Sequence, residues 1–505
     1  MSGESAPLLR CHGVSKRFGS LVANDRIDFD VRAGEVHAIV GENGAGKSTF
    51  MNLLYGVLQP DAGTIEVRGT RVRFANCADA MRAGIGMVFQ HYLLVERFTV
   101  AENVLLGRER TVRGFLDRRT ASDVVREVAA RYRFLIDPDA RVESLGVGAR
   151  QQVELLKVLE RDPQIVILDE PTASLSPLEI DGLFEVVRRM RSQGRAVIFI
   201  THKLKEVMAI SDRVTVLRQG KVVGKLDRAD ASEAILGSLM VGRDVPPQVT
   251  PVGPEPSSQP VLLVRDVVVQ TDAGTPAVSE ISLELKSGEV VGIAGVEGNG
   301  QVEFAEALYG MRACVSGSIV LDGADVTHAG SVARRHAGLR YISPDRQREG
   351  LVLDFDAPEN MLVGNERLMR RGMVVDLAAA RAQADAIARS FRIPGYTPQA
   401  PMRSYSGGTQ QKFLVGRELE GGARAVIAFA PTRGVDIGAA ESIYEHFKRL
   451  QAGGACILLV SYDLDEIRSL ANRIVVFSKG CIVGELRTSQ ADDATLGRLM
   501  GGSAA

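Results

Sequence analysis

Short β-rich hydrophobic runs alternate with helical patterns along the chain from Leu8 to about Gly242. Such alternation predicts an α/β fold in which helices and strands form layers. The run VHAIV, at 36–40, is followed by a glycine-rich segment and then by a helix-like stretch. The other strand candidates are TIEVRG (64–69), QIVILD (164–169), AVIFIT (196–201) and VTVLR (214–218).

The pattern breaks between Arg243 and Pro260, where the composition shifts sharply. This stretch contains the six prolines Pro246, Pro247, Pro251, Pro254, Pro256 and Pro260. Such a density of proline predicts a semi-rigid, extended linker. A proline-rich ligand for a partner protein is the alternative interpretation, and a spacer is the simpler one.

The second half of the chain repeats the first. GVEGNGQVE at 295–303 matches GENGAGKST at 41–49 with a shift of 254, and PTRGVDIGA at 431–439 matches PTASLSPLE at 171–179 with a shift of 260. We therefore predict two copies of one domain, at 8–242 and 261–500, joined by a linker at 243–260. Tandem duplication also predicts that the copies form a pseudo-symmetric pair.

The composition indicates a globular protein of more than one domain but does not indicate a function. The chain has 505 residues, which is too long for one core, and 45% hydrophobic with 24% charged residues is ordinary for a globular protein. A net charge of -1 gives no overall attraction to nucleic acid or to anionic lipid. The N-terminus lacks the pattern of a signal peptide, and no apolar run has membrane-spanning length, so we expect no bilayer crossing. The cysteines are scattered without CxxC spacing, which disfavours a zinc site or disulfides and fits a reducing cytoplasm: Cys11, Cys77, Cys314, Cys456 and Cys481.

The glycine-rich segment GENGAGKST fits GxxxxGK[ST], the phosphate-binding loop. Its glycines let backbone N–H groups close around phosphate oxygens, Lys47 would reach the β- and γ-phosphates, and Ser48 would hold Mg²⁺. A chance glycine-rich turn is the alternative, but a strand before and a helix after are the context that the motif requires. The predicted nucleotide-binding residues of this loop are Gly41, Asn43, Gly44, Gly46, Lys47, Ser48 and Thr49.

Polar residues follow three other predicted strands of the first copy. In IVILDEPT, Asp169 and Glu170 stand at the end of an apolar strand, where adjacent carboxylates are awkward to bury. We predict that Asp169 binds Mg²⁺ and that Glu170 acts as general base on the attacking water; a strand end that reaches solvent is the alternative. Gln90, in GMVFQHYLL, could contact the metal and the attacking water, but by itself it indicates nothing. His202, in FITHKL, could lie beside the γ-phosphate, although a lone histidine is usually structural.

Phe18, in VSKRFG, leaves two interpretations open. An aromatic residue is most often part of a core, but it can also stack on adenine. The residues around it do not decide between these roles.

These motifs, together with YSGGTQQ at 405–411, resemble in order and spacing those of an ABC ATPase. Two such domains on one chain, with GVEGNGQ and PTRGVDIGA in the second, look like the ATPases of simple-sugar and nucleoside importers. The runs MVFQHYLLVERFTVAENV and ESLGVGARQQVELLKVL are more similar to the nucleoside branch.

The resemblance implies a P-loop α/β core in each domain, with an antiparallel β part and a helical subdomain from the segments at 91–142 and 345–404. It also implies ATP and Mg²⁺ as cofactors, and ATP hydrolysis coupled to nucleoside import, with ribose or galactose as alternative cargo. The expected partners are two membrane-spanning permease subunits and an external substrate-binding protein, with the chain peripheral at the cytoplasmic face of the membrane. No nucleic-acid partner is expected.

In the family, each ATP lies between the phosphate loop of one domain and the signature segment of the other. The second copy keeps its signature, Ser406, Gly407 and Gly408, whereas the first has Gly146, Val147 and Gly148 there. The reactive residues show the opposite pattern, because they are present in the first copy and replaced in the second. In the phosphate loop, Gln301 replaces Lys47 and Val302 replaces Ser48. After the other strands, Pro344 replaces Gln90, Phe429 replaces Asp169, Ala430 replaces Glu170 and Tyr462 replaces His202. We therefore predict one hydrolytic site, built from the first phosphate loop and the second signature, and one silent site.

Two rival classes share this chemistry. A soluble ABC protein acting on ribosomes or DNA would favour two competent sites, a charged helical connector and a basic patch, none of which the sequence offers. An exporter ATPase has the same motifs, so only the resemblance favours import.

Overall fold

The protein is described by a computed structural model, which covers residues 6–19, 21–42, 44–90, 92–109, 111–112, 115–172, 175–242, 256–365, 370–371, 374–393, 395–435 and 437–500. Asn43 of the predicted phosphate loop and residues 243–255 of the predicted linker lie outside these ranges. The chain divides into two compact units, Met1–Pro247 and Gln248–Ala505. Among the described residues, no helix is both long and apolar enough to span a bilayer.

The first unit combines strands of two kinds with helices. Its strands are β1 (Leu9–Phe18), β2 (Leu21–Val31), β3 (Val36–Val40), β4 (Ala62–Val67), β5 (Thr70–Val72), β6 (Ile85–Val88), β7 (Thr111–Val112), β8 (Phe115–Leu116), β9 (Ile165–Asp169), β10 (Ala196–Ile200), β11 (Arg213–Arg218) and β12 (Lys221–Asp227). Its helices are α1 (Lys47–Leu54), α2 (Cys77–Arg82), α3 (Val100–Val104), α4 (Arg118–Tyr132), α5 (Val147–Leu159), α6 (Pro177–Ser192), α7 (Leu204–Ile210) and α8 (Glu233–Val241).

The second unit repeats this order. Its strands are β13 (Pro260–Gln270), β14 (Pro276–Lys286), β15 (Val290–Ala294), β16 (Ser316–Leu321), β17 (Ala324–Asp325), β18 (Leu339–Ile342), β19 (Arg370–Arg371), β20 (Val374–Val375), β21 (Ala425–Phe429), β22 (Cys456–Val460), β23 (Arg473–Ser478) and β24 (Cys481–Arg487). Its helices are α9 (Gln301–Tyr309), α10 (Ser331–His336), α11 (Ala357–Leu362), α12 (Leu377–Ser390), α13 (Gly407–Leu419), α14 (Ile437–Ala452), α15 (Leu464–Leu470) and α16 (Asp493–Met500).

Each unit contains a six-stranded sheet and a four-stranded antiparallel sheet. In the first unit the orders are β6-β9-β10-β3-β11-β12 and β2-β1-β4-β5, and in the second they are β18-β21-β22-β15-β23-β24 and β14-β13-β16-β17. The large sheets are parallel except for their last strands, β12 and β24. The predicted fold, two tandem α/β units with an antiparallel part, is confirmed.

The predicted strands form where the sequence has its short apolar runs. VHAIV, IVILD and AVIFI are buried at every position, as expected of parallel strands covered on both faces. Local capping defines several helix starts. Ser176 and Glu179 form a reciprocal capping box at the start of α6, with Pro177 as its first residue. Pro260, which the composition assigns to the linker, is instead the first residue of β13.

Strand order brings the predicted reactive residues to one edge of the first unit's large sheet. The strands β6, β9, β10 and β3 are neighbours and run parallel, so their carboxyl ends meet at the same edge. Gln90, Glu170, His202 and the phosphate loop follow those four ends in turn. Because β9 lies between β6 and β10, Glu170 lies between Gln90 and His202.

Candidate functional site

The segment after β3 forms a tight loop that ends at the first residue of α1. Gly44 and Gly46 have φ values of 81° and 98°, a region that favours glycine. Gly46 also has no room for a side chain, because a Cβ there would overlap the carbonyl oxygen of Ala23 and lie 2.7 Å from Nδ2 of Asn24. The loop therefore keeps backbone N–H groups near the N-terminus of α1, where an anion is stabilised.

Lys47 lies inside this loop rather than in solvent. Its side chain is buried, and Nζ donates to the carbonyl oxygens of Gly41 at 2.5 Å and Glu42 at 3.0 Å. Burial lowers the pKa of Lys47, and the charges of Glu170, Asp169 and Glu42 oppose that effect. Next to it, the Ser48 hydroxyl side chain is exposed and Thr49 is half-buried. The lysine is thus held inside the loop by the loop's own carbonyl oxygens, and its contact with phosphate stays a prediction.

Glu170 is the centre of a hydrogen-bonded trio. Gln90 donates through Nε2 to one carboxylate oxygen at 3.0 Å, and Nδ1 of His202 lies 3.2 Å from the other. Burial acts to raise the pKa of Glu170, but the hydrogen bond and charge of His202, with Lys47 and Lys203, outweigh it, so that the pKa is lowered. The carboxylate is therefore kept ionised, oriented from both sides and able to accept a proton.

Asp169 differs from its neighbour although the two are adjacent. It is buried at the end of β9, and burial, with the charge of Glu170, raises its pKa to about 6 despite the opposing charge of Lys47. Two carboxyl groups this close favour a cation. The described part of the chain holds no cluster of three or more His, Cys, Asp or Glu residues that could bind a metal ion by itself. The Asp169 carboxylate, with the oxygens of Ser48 and Gln90, offers the ligand type that Mg²⁺ prefers, and so these residues fit the ion.

A supporting carboxylate, Glu206, was missed in the sequence. Its oxygens accept hydrogen bonds from the hydroxyl groups of Thr172, at 2.7 Å, and Thr201, at 2.9 Å. These threonines stand two residues after Glu170 and one residue before His202, so Glu206 links the two loops that carry them. The shift of 260 that aligns the copies would have indicated it, because Glu466 occupies the same position and binds Thr432 and Ser461.

Phe18 is placed at the end of β1 with 46% of its surface exposed, and Nζ of Lys16 lies 5.8 Å from the centre of its ring. An exposed ring is not the core aromatic of the first interpretation. The matching position in the second unit, read from the strand register, is Thr271, whose hydroxyl bonds to Thr275.

The second unit keeps the backbone of the site and replaces its chemistry. Glu170 and Ala430 share an unusual left-handed conformation, with φ of 46° and 43°, and each donates its N–H to the neighbouring strand. In place of Asp169 and His202, Phe429 and Tyr462 pack edge to face with ring centres 6.0 Å apart. Gln301 is buried like Lys47 and donates to the carbonyl oxygen of Val296 at 3.0 Å, while its own Oε1 has no hydrogen-bond partner among the residues that the structure describes. An aromatic contact thus stands at the positions of Asp169 and His202.

Comparison with known proteins identifies this arrangement. The sequence matches the family described as ABC transporter over residues 24–173 and 278–432, once in each unit. The chain belongs to the ABC transporter family.

Full-length relatives share both ABC units. The chain is 42% identical to the glucose import ATP-binding protein of Haloferax volcanii, over 98% of this chain and 96% of that protein. It is 38% identical to the nucleoside import ATP-binding protein of Lactococcus lactis, over 97% of each chain, and 40% identical to a ribose import ATP-binding protein of Rubrobacter xylanophilus, over 98% and 97%. The predicted class, an ATP-hydrolysing ABC subunit with tandem domains, is confirmed.

The two signature segments of this ABC protein begin helices in different ways. In the second unit Ser406 caps α13, accepting a hydrogen bond from the N–H of Thr409 at 3.3 Å; its side chain is exposed, Gly407 is half-buried and Gly408 is buried. In the first unit Gly146 precedes α5 without a side-chain cap, and Val147 is the first helical residue. The hydroxyl that the resemblance requires is thus presented in the second unit.

The buried carboxyl of Glu466 makes the stability of the second ABC unit depend on pH. Burial raises its pKa to about 7, against the hydrogen bonds of Ser461 and Thr432, and Asp463 adds to the rise. The unfolded chain ionises this group near 4.5, so between 4.5 and 7 the folded state binds more protons and the free energy of unfolding falls as pH rises. We expect Glu466→Gln to remove this loss, which amounts to about 2–3 kcal/mol.

The measurement is chemical unfolding of the full chain and its Glu466→Gln variant from pH 5 to pH 8, with hydrogen exchange reporting on the second unit. The advantage of the variant should grow from pH 5 to about pH 7 and then level off. Parallel pH curves for the two proteins would contradict the expectation.

Proposed function

We propose that the first unit carries the one hydrolytic centre of the chain. The observation that supports this proposal is the trio around Glu170, in which Gln90 and His202 orient the ionised carboxylate from opposite sides. Such a carboxylate is prepared to take a proton from a water molecule that attacks the γ-phosphate. Gln90 orients that water, and His202 positions the base and the γ-phosphate.

The other residues of the first unit bind the nucleotide. The phosphate loop from Gly41 to Thr49 surrounds the phosphates with N–H groups, and Lys47 turns from its loop carbonyls to the β- and γ-phosphates. Phe18 stacks on the adenine ring. Ser48, Gln90 and Asp169 would hold Mg²⁺, which when bound neutralises charge on the phosphates. Asp169 supports this assignment, because burial and the charge of Glu170 outweigh the charge of Lys47 there, so that a further cation would be favourable.

We further propose that the signature Ser406, Gly407 and Gly408 completes the site, as the family resemblance implies for the pseudo-dimer. ATP would then favour the closed pair of units, and hydrolysis would release it, because the γ-phosphate contacts are lost. The silent site would combine Gln301 and Val302 with Gly146 and Val147, so neither a phosphate-facing charge nor a signature hydroxyl would be available there.

We propose that ATP hydrolysis by this chain drives the import of a small molecule. Relatives named for nucleoside, ribose and glucose import are similar along the full length. Nucleosides are the cargo we favour, because the segments after Gln90 and around Gly146 resemble those of nucleoside importers. Simple sugars are the second candidate, supported by the relatives that are named for sugar import. The chain would work at the cytoplasmic face of the membrane with two permease subunits and an external substrate-binding protein.

The asymmetry of the two sites is tested by paired substitutions in the full chain. Glu170→Gln keeps the size and hydrogen bonding of the side chain but cannot accept the proton, so we expect ATP turnover to fall by about 10²- to 10⁴-fold. Gln301→Ala, at the matching loop of the second unit, should leave most of the turnover. Similar losses in both variants, measured as phosphate release, would refute the proposal of a single centre.

The cargo is tested by uptake of labelled nucleosides and simple sugars in cells that carry either the intact chain or Glu170→Gln. We expect nucleoside uptake alone to collapse in the variant, because hydrolysis powers the transport cycle. A loss confined to one sugar would replace nucleoside by that sugar. Unchanged uptake of every compound would contradict the import function itself.

A further inference from the structure

The first turns of the two signature helices lie against side chains of opposite charge. In the second unit, the guanidinium of Arg346 lies against Gly407 so closely that a Cβ on this glycine would overlap Nη2. In the first unit, a Cβ on Gly148 would overlap the carboxylate of Glu179. The complete signature thus has a cation at its first turn, and the incomplete signature has an anion there.

Arg346 is held in this place by its own loop. It begins a single π-helical turn, Arg346–Gly350, which Asp345 caps by accepting the N–H groups of Gln347 and Arg348 at 3.0 and 3.1 Å. Nη1 donates to the carbonyl oxygen of Arg433 at 2.9 Å, beside Gly434. The guanidinium therefore touches both the signature and the loop that follows β21. Its Nε is buried and has no hydrogen-bond partner within the described residues.

Glu179 is held as firmly in the first unit. One carboxylate oxygen accepts hydrogen bonds from the N–H and the hydroxyl of Ser176, both at 2.8 Å, in the capping box of α6. The position of Glu179 corresponds to Ala439 in the second unit, which is buried, and the position of Arg346 corresponds to Tyr92 in the first. Each charge is therefore present in one unit alone.

We infer that Arg346 is a nucleotide-facing cation that makes the second unit's signature select the triphosphate, whereas Glu179 makes the first unit's signature repel it. This inference rests on the proposed function, in which Ser406, Gly407 and Gly408 receive the γ-phosphate. A guanidinium at this turn adds its charge to the N–H groups of the helix start, and arginine binds phosphate oxygens through paired hydrogen bonds. A carboxylate at the matching turn opposes any anion that approaches.

A charge-assisted hydrogen bond to the γ-phosphate strengthens binding by about 10- to 100-fold. ADP lacks this phosphate, so the contribution of Arg346 should appear for ATP and vanish for ADP. A merely structural role, such as joining two loops, would affect both nucleotides. Lysine retains the charge but not the paired geometry, and it should restore part of the affinity.

The experiment measures Kd values of the full chain for a nonhydrolysable ATP analogue and for ADP, in the parent protein and in Arg346→Gln, Arg346→Lys and Glu179→Gln. We expect Arg346→Gln to weaken binding of the analogue by about 10- to 100-fold with ADP binding unchanged, and Arg346→Lys to recover part of the loss. Glu179→Gln preserves the capping geometry, because glutamine also accepts the hydrogen bonds of Ser176. It should leave the tight binding of the analogue unchanged and should strengthen a second, weaker binding of the analogue, because the repelling charge is removed.

Three outcomes would overturn the role of Arg346: unchanged binding of the analogue in Arg346→Gln, an equal loss for both nucleotides, or no recovery in Arg346→Lys. A second, weaker binding of the analogue that stays the same in Glu179→Gln would overturn the role of Glu179. The measurement does not involve turnover, so it is independent of Glu170. Continued hydrolysis by Glu170→Gln would refute the proposed hydrolytic centre, whereas failure of the Arg346 variants alone would refute only the role of this cation.

Discussion

The structure of the first unit depends on how a buried pair of carboxylates is accommodated at the end of one strand. Asp169 and Glu170 are consecutive, and both lie where burial disfavours their charge. Partners from the neighbouring strands resolve this conflict for Glu170, since Gln90 follows the strand on one side and His202 the strand on the other. Lys47, which follows the next strand, adds the positive charge. The parallel order of four strands is therefore what makes the site possible.

The second unit shows that the same backbone arrangement forms without the reactive side chains of the first unit. Ala430 keeps the left-handed backbone of Glu170 although no carboxylate is left to position, and Phe429 and Tyr462 pack against each other at the positions of Asp169 and His202. Replacing a buried polar group and its partner together by apolar side chains is far less costly than leaving one of them unpaired. All of the reactive residues of the first unit are replaced in the second. Glu466, however, still joins the two corresponding loops through the hydroxyl groups of Thr432 and Ser461.

Much of this arrangement follows from local sequence signals. The apolar runs predict the central strands to within a few residues, and the glycine pattern predicts the loop before α1, because buried parallel strands and left-handed turns each restrict the residue types strongly. The motif spacing also indicates which polar residues meet at one sheet edge. Contacts between distant segments were not predictable in this way. Nothing near Arg346 in the sequence shows that its guanidinium reaches Gly407, and nothing near Glu179 shows that it reaches Gly148, since these contacts depend on how two helices and a loop pack.

The central claim is that one chain with two ABC units has a single place where ATP is hydrolysed. Orthovanadate tests it directly, because vanadate replaces the released γ-phosphate after turnover and, on irradiation, cleaves the backbone beside it. The full chain would be incubated with ATP, Mg²⁺ and vanadate, irradiated, and its fragments mapped by mass spectrometry. The account predicts cleavage within 41–49, in the loop that carries Lys47 and Ser48. Cleavage within 295–303, in the loop of Gln301 and Val302, would contradict it.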